Sequence, residues 1–448
     1  MILKSKNLND LNPTSPSFSE ALRFWLKLGF ISFGGPAGQI AIMHEYLVDK
    51  KKWMSDSKFL HALNYCMILP GPEAQQLAIY TGWLLHGAWG GLAAGSLFVL
   101  PSMFILLGLS IAYVSFGDLP WVYALFEGLK PAVIAIVILA LIKIGKKSLA
   151  TPFHYLVAAA AFVCIFFLNI PFPLIILGAI VTAALARRFL PLLFQQNPKK
   201  AEKQEADEAG YFLNKNTVIP GTGFNAARLA RQALTAAALW VLPFVLFYFF
   251  TKDFAFWKTL SLFFTQAALV TFGGAYAVLP YVAQVSVEKL HWLSSLQMVD
   301  GLALGETTPG PLIMVLAFVG FMAGYNQFDG SLWMGALGLA VTTFFTFLPC
   351  FLFIFAGAPI IEKTQENKQV RGVLGLVTAA VVGVVLNLTL YLGKAVIFPK
   401  ELSWATMDWL ALGWVVVSCL AMYRFKVGMM AWIGVSVLFG LVEYFISH

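Results

Sequence analysis

The chain has 448 residues, of which 59% are apolar and only 12% charged. A soluble globular chain of this length could not keep that balance in solution, so the bilayer is its solvent. The formal net charge of +8 would suggest nucleic acid in a soluble protein. Here most Lys and Arg fall in loops, where they orient a membrane protein, and no nucleic-acid partner is expected.

Residues 1–19 are polar, rich in Ser, Pro and Asn, and lack the apolar core and cleavage site of a signal peptide; they are read as a short cytoplasmic tail. Apolar stretches then recur at 20–42, 58–87, 90–117, 122–145, 153–169, 172–194, 232–250, 257–283, 295–325, 331–357, 372–393, 406–423 and 427–446. That pattern predicts an all-α polytopic membrane protein with about 13 hydrophobic segments. With the N-terminus inside, the positive-inside rule is met nearly everywhere. The exception is Lys50, Lys51 and Lys52, which fall outside if 20–42 is a full span and inside if it is a re-entrant hairpin.

The longest polar stretch mixes both charge signs, as flexible linkers do, and divides the molecule. The expected organisation is an N-terminal transporter repeat over 20–194, a cytoplasmic linker over 195–231, and a C-terminal repeat with one extra leading helix over 232–446. A shift of 239 residues aligns Phe33-Gly34-Gly35 with Phe272-Gly273-Gly274, Trp53 with Trp292, and Pro70-Gly71-Pro72 with Pro309-Gly310-Pro311, without a gap. Slightly larger shifts match Leu100-Pro101 with Leu348-Pro349 and Gly128-Leu129 with Gly375-Leu376. An odd number of spans between the two copies makes them inverted repeats, a recurrent architecture of secondary transporters.

In hydrocarbon every backbone N–H and C=O needs a partner, so a mid-span Pro-Gly-Pro is tolerated only where the freed groups face protein, water or a ligand. The half-helix that follows such a break offers free N–H groups and a positive dipole end, which suit an anion. The bland reading is a kink that only shapes packing. The paired glycines, Gly34-Gly35-Pro36 and Gly273-Gly274, permit either close helix packing or an unwound, ligand-facing backbone. Ser32 and Thr271 precede them and either offer a hydroxyl to an oxyanion or bond to the backbone one turn earlier.

The halves differ in polarity, because the first break runs into Glu73-Ala74-Gln75-Gln76, whereas the second runs into Leu312-Ile313-Met314 and follows Glu306-Thr307-Thr308. A midplane carboxylate is costly, and Glu73 is the candidate proton carrier, or else one partner of a structural ion pair. Arg23 and Lys27, at i and i+4, either draw an anion inward or snorkel to the headgroups. Lys130 either contacts the anion or pairs with Glu127 three residues earlier. Trp53 and Trp292 are expected as interface anchors.

Cys66, Cys164, Cys350 and Cys419 are scattered through apolar runs and are expected as packing thiols. With no HExxH, Walker or GxGxxG pattern, neither a metal, a cofactor nor an enzymatic activity is expected.

The stretches FGGPAGQI, LPGPEAQQLAIYTGW, GLKPAV and TTPGP, with the paired FGG, resemble the chromate ion transporter family in its long-chain, two-domain form. The resemblance covers both halves. It implies efflux of chromate across the cell (inner) membrane, conferring chromate resistance; sulfate, an isosteric tetrahedral dianion that backbone N–H groups would hold alike, is left open as a further substrate. It also implies that the polar motifs of the N-terminal half carry function. Competing readings are transport of sulfate or another oxyanion and a passive anion channel. The expected partners are the oxyanion and the lipid bilayer, with a homodimer left open.

Overall fold

The computed structural model of the protein describes residues 15–33, 35–117, 119–189, 210–214, 217, 223–251, 253–272, 274–361, 368–398 and 403–447. In chain order its helices are α1 (Phe18–Ile31), α2 (Gly35–His44), α3 (Asp56–Cys66), α4 (Glu73–Phe116), α5 (Pro120–Ser148), α6 (Pro152–Phe166), α7 (Phe172–Phe189) and α8 (Ala226–Phe250). The second half repeats the order as α9 (Phe254–Leu269), α10 (Ala275–Gln284), α11 (Ser295–Thr307), α12 (Val315–Gln327), α13 (Leu332–Ile361), α14 (Lys368–Ile397), α15 (Trp409–Tyr423) and α16 (Met429–Ser447). Six of these are long and apolar enough to cross a membrane. The boundary expected at residues 231 and 232 falls inside α8.

The segment over 20–42, open in the sequence between a full span and a re-entrant hairpin, is two helices. α1 has 14 residues, a rise of about 21 Å at ~1.5 Å per residue, too short for a hydrocarbon core of about 30 Å. The chain breaks after Ile31 and returns through α2 and a π-helical turn, Glu45–Lys50. The return is fixed at its open end, where Lys51 Nζ reaches Glu20 Oε1 at 2.7 Å and Phe24 stacks on Tyr46. Lys50 pairs with Glu45 at 2.7 Å. Glu20 and Lys51 thus share one level, and two of the three lysines carry carboxylate partners.

The expected span over 58–87 is likewise broken. α3 ends at the Pro70-Gly71-Pro72 bend, and α4 opens with a short arm that reverses at His86 and Gly87, whose φ/ψ are −140/26 and 63/−154. Both ends of this second hairpin lie near the open end of the first: Asp56 Oδ1 sits 2.7 Å from His44 Nε2, and His86 Nε2 sits 2.9 Å from the Pro16 carbonyl. The two arms of α4 are so close that a Cβ on Gly82 or on Gly90 would overlap the other's carbonyl. Such small-residue contacts are how helices associate where lipid removes the hydrophobic drive.

The second half repeats this construction. α9 and α10 form the first hairpin, α11 and α12 the second, and Asn326 Nδ2 donates to the Trp292 carbonyl at 2.8 Å to close its open end. Trp53 and Trp292 are 4% and 6% exposed. They are not interface anchors; each packs edge-on against a first-helix phenylalanine at equivalent positions, Phe24 with Trp53 and Phe263 with Trp292.

The halves interlock. α6 and α7 pack on α14 of the other half, while α15 and α16 pack on α5. Gly128 of α5 and Gly440 of α16 meet so closely that neither position has room for a Cβ. The polar stretch between the halves is partly docked: Leu213 is buried and bridges Met54, with the Ser55 amide donating to the Leu213 carbonyl at 2.8 Å. Among the described residues the four cysteines are free, and Cys66 and Cys350 are buried.

Candidate functional site

Each half has two helix breaks, and each break sits at the inner tip of a hairpin. The tips meet across the halves in a reciprocal pattern. The Gly71 amide donates to the Thr271 carbonyl at 2.7 Å, and the Gly310 amide donates to the Ser32 carbonyl at 2.8 Å. Carbonyls freed where α1 and α9 end are thereby paired, as a low-dielectric interior demands. Both glycines hold positive φ, 116° at Gly71 and 100° at Gly310, a region that a side chain strains to adopt. Neither has room for one: a Cβ on Gly71 would lie 2.8 Å from Cys350 Sγ, and one on Gly310 would collide with Ser102. Ser102 and Cys350 both follow a helix-interior proline, Pro101 and Pro349, so the second arm of α4 and α13 each back the other half's break.

Side chains complete the pairing unevenly. Gln39 of α2, 1% exposed, donates to the Gly310 carbonyl at 2.6 Å, and the Ser102 hydroxyl donates to the Pro309 carbonyl. Gln76 Nε2 donates to the Pro70 carbonyl at 2.6 Å. Tyr276, on the first turn of α10, donates to Glu306 Oε1 at 2.6 Å. Thr271, Thr307 and Thr308 turn their hydroxyls onto carbonyls of the preceding turn, at Ala267 and Leu304. Each of these hydroxyls is bonded to the backbone.

Other polar atoms have no such partner. Ser32 Oγ, both polar atoms of Gln75 and Gln76 Oε1 are buried and unbonded. Buried polar groups are nearly always paired in protein, with water or with a ligand, so these atoms are candidates for a ligand contact. Ser32 ends α1 beside the Gly310 break, whereas Gln75 and Gln76 lie on the first turn of α4, whose N-cap is Pro72. The first amides of that helix have no intrahelical acceptor and carry the positive end of its dipole. Leu312 and Ile313 stand equivalently after Pro311. Glu73 lies on the first turn of α4, half-buried, and Lys147 is an opposing charge that acts on it.

The remaining sequence candidates divide. Gly35, Pro36 and Gly274 stand at the first-hairpin tips, and Pro70, Pro72, Pro309 and Pro311 flank the glycines of the second. Gly34 and Gly273 lie outside the described residues. Arg23 and Lys27 are exposed on the face of α1 opposite its buried Ala21, Phe24, Trp25 and Leu28, so neither points toward the tips. Lys130 is buried but belongs to a separate cluster with Glu127, 2.5 Å away, and Asp300.

The family model described as Chromate transporter matches residues 19–184 and 258–441. The chain belongs to the chromate transporter family. Its two matched regions coincide with the two structural halves and leave α8 between them. The chain is 29% identical to the "Chromate transport protein" of Cupriavidus metallidurans over 387 residues, covering 85% of this chain and 84% of that protein. It is 29% identical over 396 residues to the "Probable chromate transport protein" of Synechococcus elongatus, covering 87% and 88%. With the "Chromate transport protein" of Pseudomonas aeruginosa the figures are 30% over 392 residues, 85% and 82%. No solved structure matches the chain. Membership of the chromate transporter family supports a transport role with an oxyanion substrate in a multi-pass membrane setting.

Ser102, Tyr276 and Cys350 lie at the breaks but outside the candidate residues read from the motifs, and Gln39 lies within FGGPAGQI without having been singled out. Gln39 was visible as a lone amide in an apolar run. Ser102 and Cys350 each stand one position after a proline that the repeat matches, and Cys350 was expected as a packing thiol.

Proposed function

We propose that the protein is a secondary transporter that exports chromate, with sulfate as a second substrate, and so confers chromate resistance. The observation that carries this is the reciprocal pair of hydrogen bonds, Gly71 to Thr271 and Gly310 to Ser32. It supports a fixed midplane site, with broken-helix N-termini on both sides, unbonded Gln75 and Gln76 atoms beside one of them and the unbonded Ser32 hydroxyl at the other. A tetrahedral dianion suits several N–H and amide donors at once.

In this reading the halves are inverted. α4 to α8 supply an odd number of crossings between the first hairpin pair and the second, so the open ends of the two pairs face opposite sides. Rocking one half against the other about the shared tips alternates access, as in other inverted-repeat transporters. The driving force suffices: a dianion leaving a cell that is negative inside gains about 4.6 kcal/mol per ~100 mV.

The test is uptake of labelled chromate by inside-out vesicles under an imposed potential. Saturable uptake that sulfate competes for is the expected result. Non-saturating flux that only follows its gradient would mean a channel, and no flux in any gradient from inserted protein would overturn the substrate or the direction.

A further inference from the structure

One buried charged cluster lies apart from the tips. Lys130 of α5 is 3% exposed, and its Nζ lies 2.5 Å from Glu127 Oε1 and 4.0 Å from Asp300 Oδ1. Asp300, on α11 of the other half, is 5% exposed. Tyr113, near the end of α4, donates to Asp300 Oδ2 at 2.8 Å, whereas Asp300 Oδ1 has no hydrogen-bond partner. The Lys130 ammonium also stands over the Tyr123 ring at 5.2 Å. From α12 the apolar Phe318 closes the cluster against Tyr113, and from α14 the hydroxyl of Tyr391 is turned to Ser295.

One ammonium therefore serves two carboxylates, of which Glu127 keeps a side chain 38% exposed, whereas Asp300 is buried 4.0 Å from the ammonium, where an uncompensated charge is costly. Asp300 is therefore the carboxylate that gains most from a further cation. A metal ion is poorly suited, since it needs several oxygen ligands, whereas the buried unbonded oxygen here is Asp300 Oδ1 and an ammonium stands beside it. A proton on Oδ1 removes the uncompensated charge at once. When that proton leaves, Lys130 is drawn from Glu127 toward Asp300, pulling α5 of one half toward α11 of the other. α11 runs six residues on to Glu306 and then into the Pro309-Gly310-Pro311 tip, so the exchange reaches the anion site through one rigid helix.

We propose that Asp300 is the binding site of a coupling proton, exchanged against the Lys130 ammonium and separate from the anion site at the tips. Glu73, the carboxylate that the sequence favoured for this role, sits on the anion's own helix end. Coupling rests on the transporter reading; proton binding does not.

Two arms test it on the full-length protein in lipid. In infrared difference spectra across a pH titration, a protonated-carboxyl band is expected in the wild type and absent from Asp300→Asn, which keeps the Tyr113 hydrogen bond. Tyr113→Phe removes a donor from the ionised form and should move the midpoint to higher pH, with proton affinity rising about tenfold. Glu127→Gln releases Lys130 to Asp300 and should move it lower. An unaltered band in Asp300→Asn overturns the site, whatever the substrate. In proteoliposomes, chromate-linked proton movement should disappear in Asp300→Asn while potential-driven chromate flux persists. Proton movement retained at the wild-type ratio overturns the coupling. A wild type that moves no chromate overturns the proposed function and leaves the spectroscopic arm to decide the proton site.

Discussion

The Gly310 amide donates to the Ser32 carbonyl at 2.8 Å, which ties the proline break of the second half to the glycine break of the first. Its counterpart between Gly71 and Thr271 makes the arrangement reciprocal, so each half's second hairpin is held by the other half's first. Loosening one pair should therefore disturb both halves.

Substituting the glycines tests this directly. Gly310→Ala must hold φ near 100° with a Cβ driven into Ser102. A loss of about 2 to 4 kcal/mol is expected from strain and overlap together, read as a lower midpoint of thermal unfolding in detergent with loss of transport. Ser102→Gly in the same chain relieves the overlap but not the backbone strain, so it should restore stability in part. Full restoration would show that φ carries no cost there, and no restoration would show that Ser102 is not the obstacle.

Gln39 and Gln75 should separate stability from function. Gln39 donates to the Gly310 carbonyl at 2.6 Å, so Gln39→Leu leaves a buried acceptor unpaired and should cost about 1 to 3 kcal/mol. Both polar atoms of Gln75 are already unbonded, so Gln75→Leu should leave the unfolding midpoint at or above that of the wild type. Its effect should appear in transport, as a rise in KM for chromate of about tenfold if one charged hydrogen bond is lost. Equal destabilisation by both variants would remove the case for a ligand beside Gln75.

Much of this architecture was legible in the sequence because broken helices in lipid leave a loud signal. Pro-Gly-Pro and paired glycines cannot hide in an apolar run, and a constant shift of 239 residues joined their two copies. What the sequence did not disclose was set by tertiary partners. Hydropathy reads 58–87 as one span, since a tip buried in protein is as apolar as a span through lipid. Trp53 and Trp292 follow charged loops, as interface anchors do, yet they pack on Phe24 and Phe263 because the hairpins fold back over them. Arg23 and Lys27 precede the glycines in sequence, but the helix turns them away. The partner of Lys130 beyond Glu127 is Asp300, 170 residues on and in the other half, which no local pattern marks.

Arg23 provides a negative control. It is exposed opposite the buried face of α1, and surface substitutions of this kind shift energies by no more than about 0.5 kcal/mol. Arg23→Gln should therefore change KM for chromate by less than about twofold. A tenfold rise would restore it as an electrostatic funnel for the anion.

Labelling from each side of the membrane would settle the inversion. Glu20 and Lys51 share one end of the first hairpin through their 2.7 Å ion pair, so single cysteines at the two positions should react with an impermeant maleimide from the same side. His291, beside Trp292 at the open end of the second half's hairpins, should react from the opposite side if α4 to α8 cross an odd number of times. The background thiols at Cys66 and Cys350 are buried, which limits their reaction, and substituting all four cysteines removes it. Labelling of positions 20 and 51 from opposite sides would make the first segment a full span. Labelling of 51 and 291 from the same side would leave the repeats parallel, and the two helix breaks would then have to meet by a fold other than inversion.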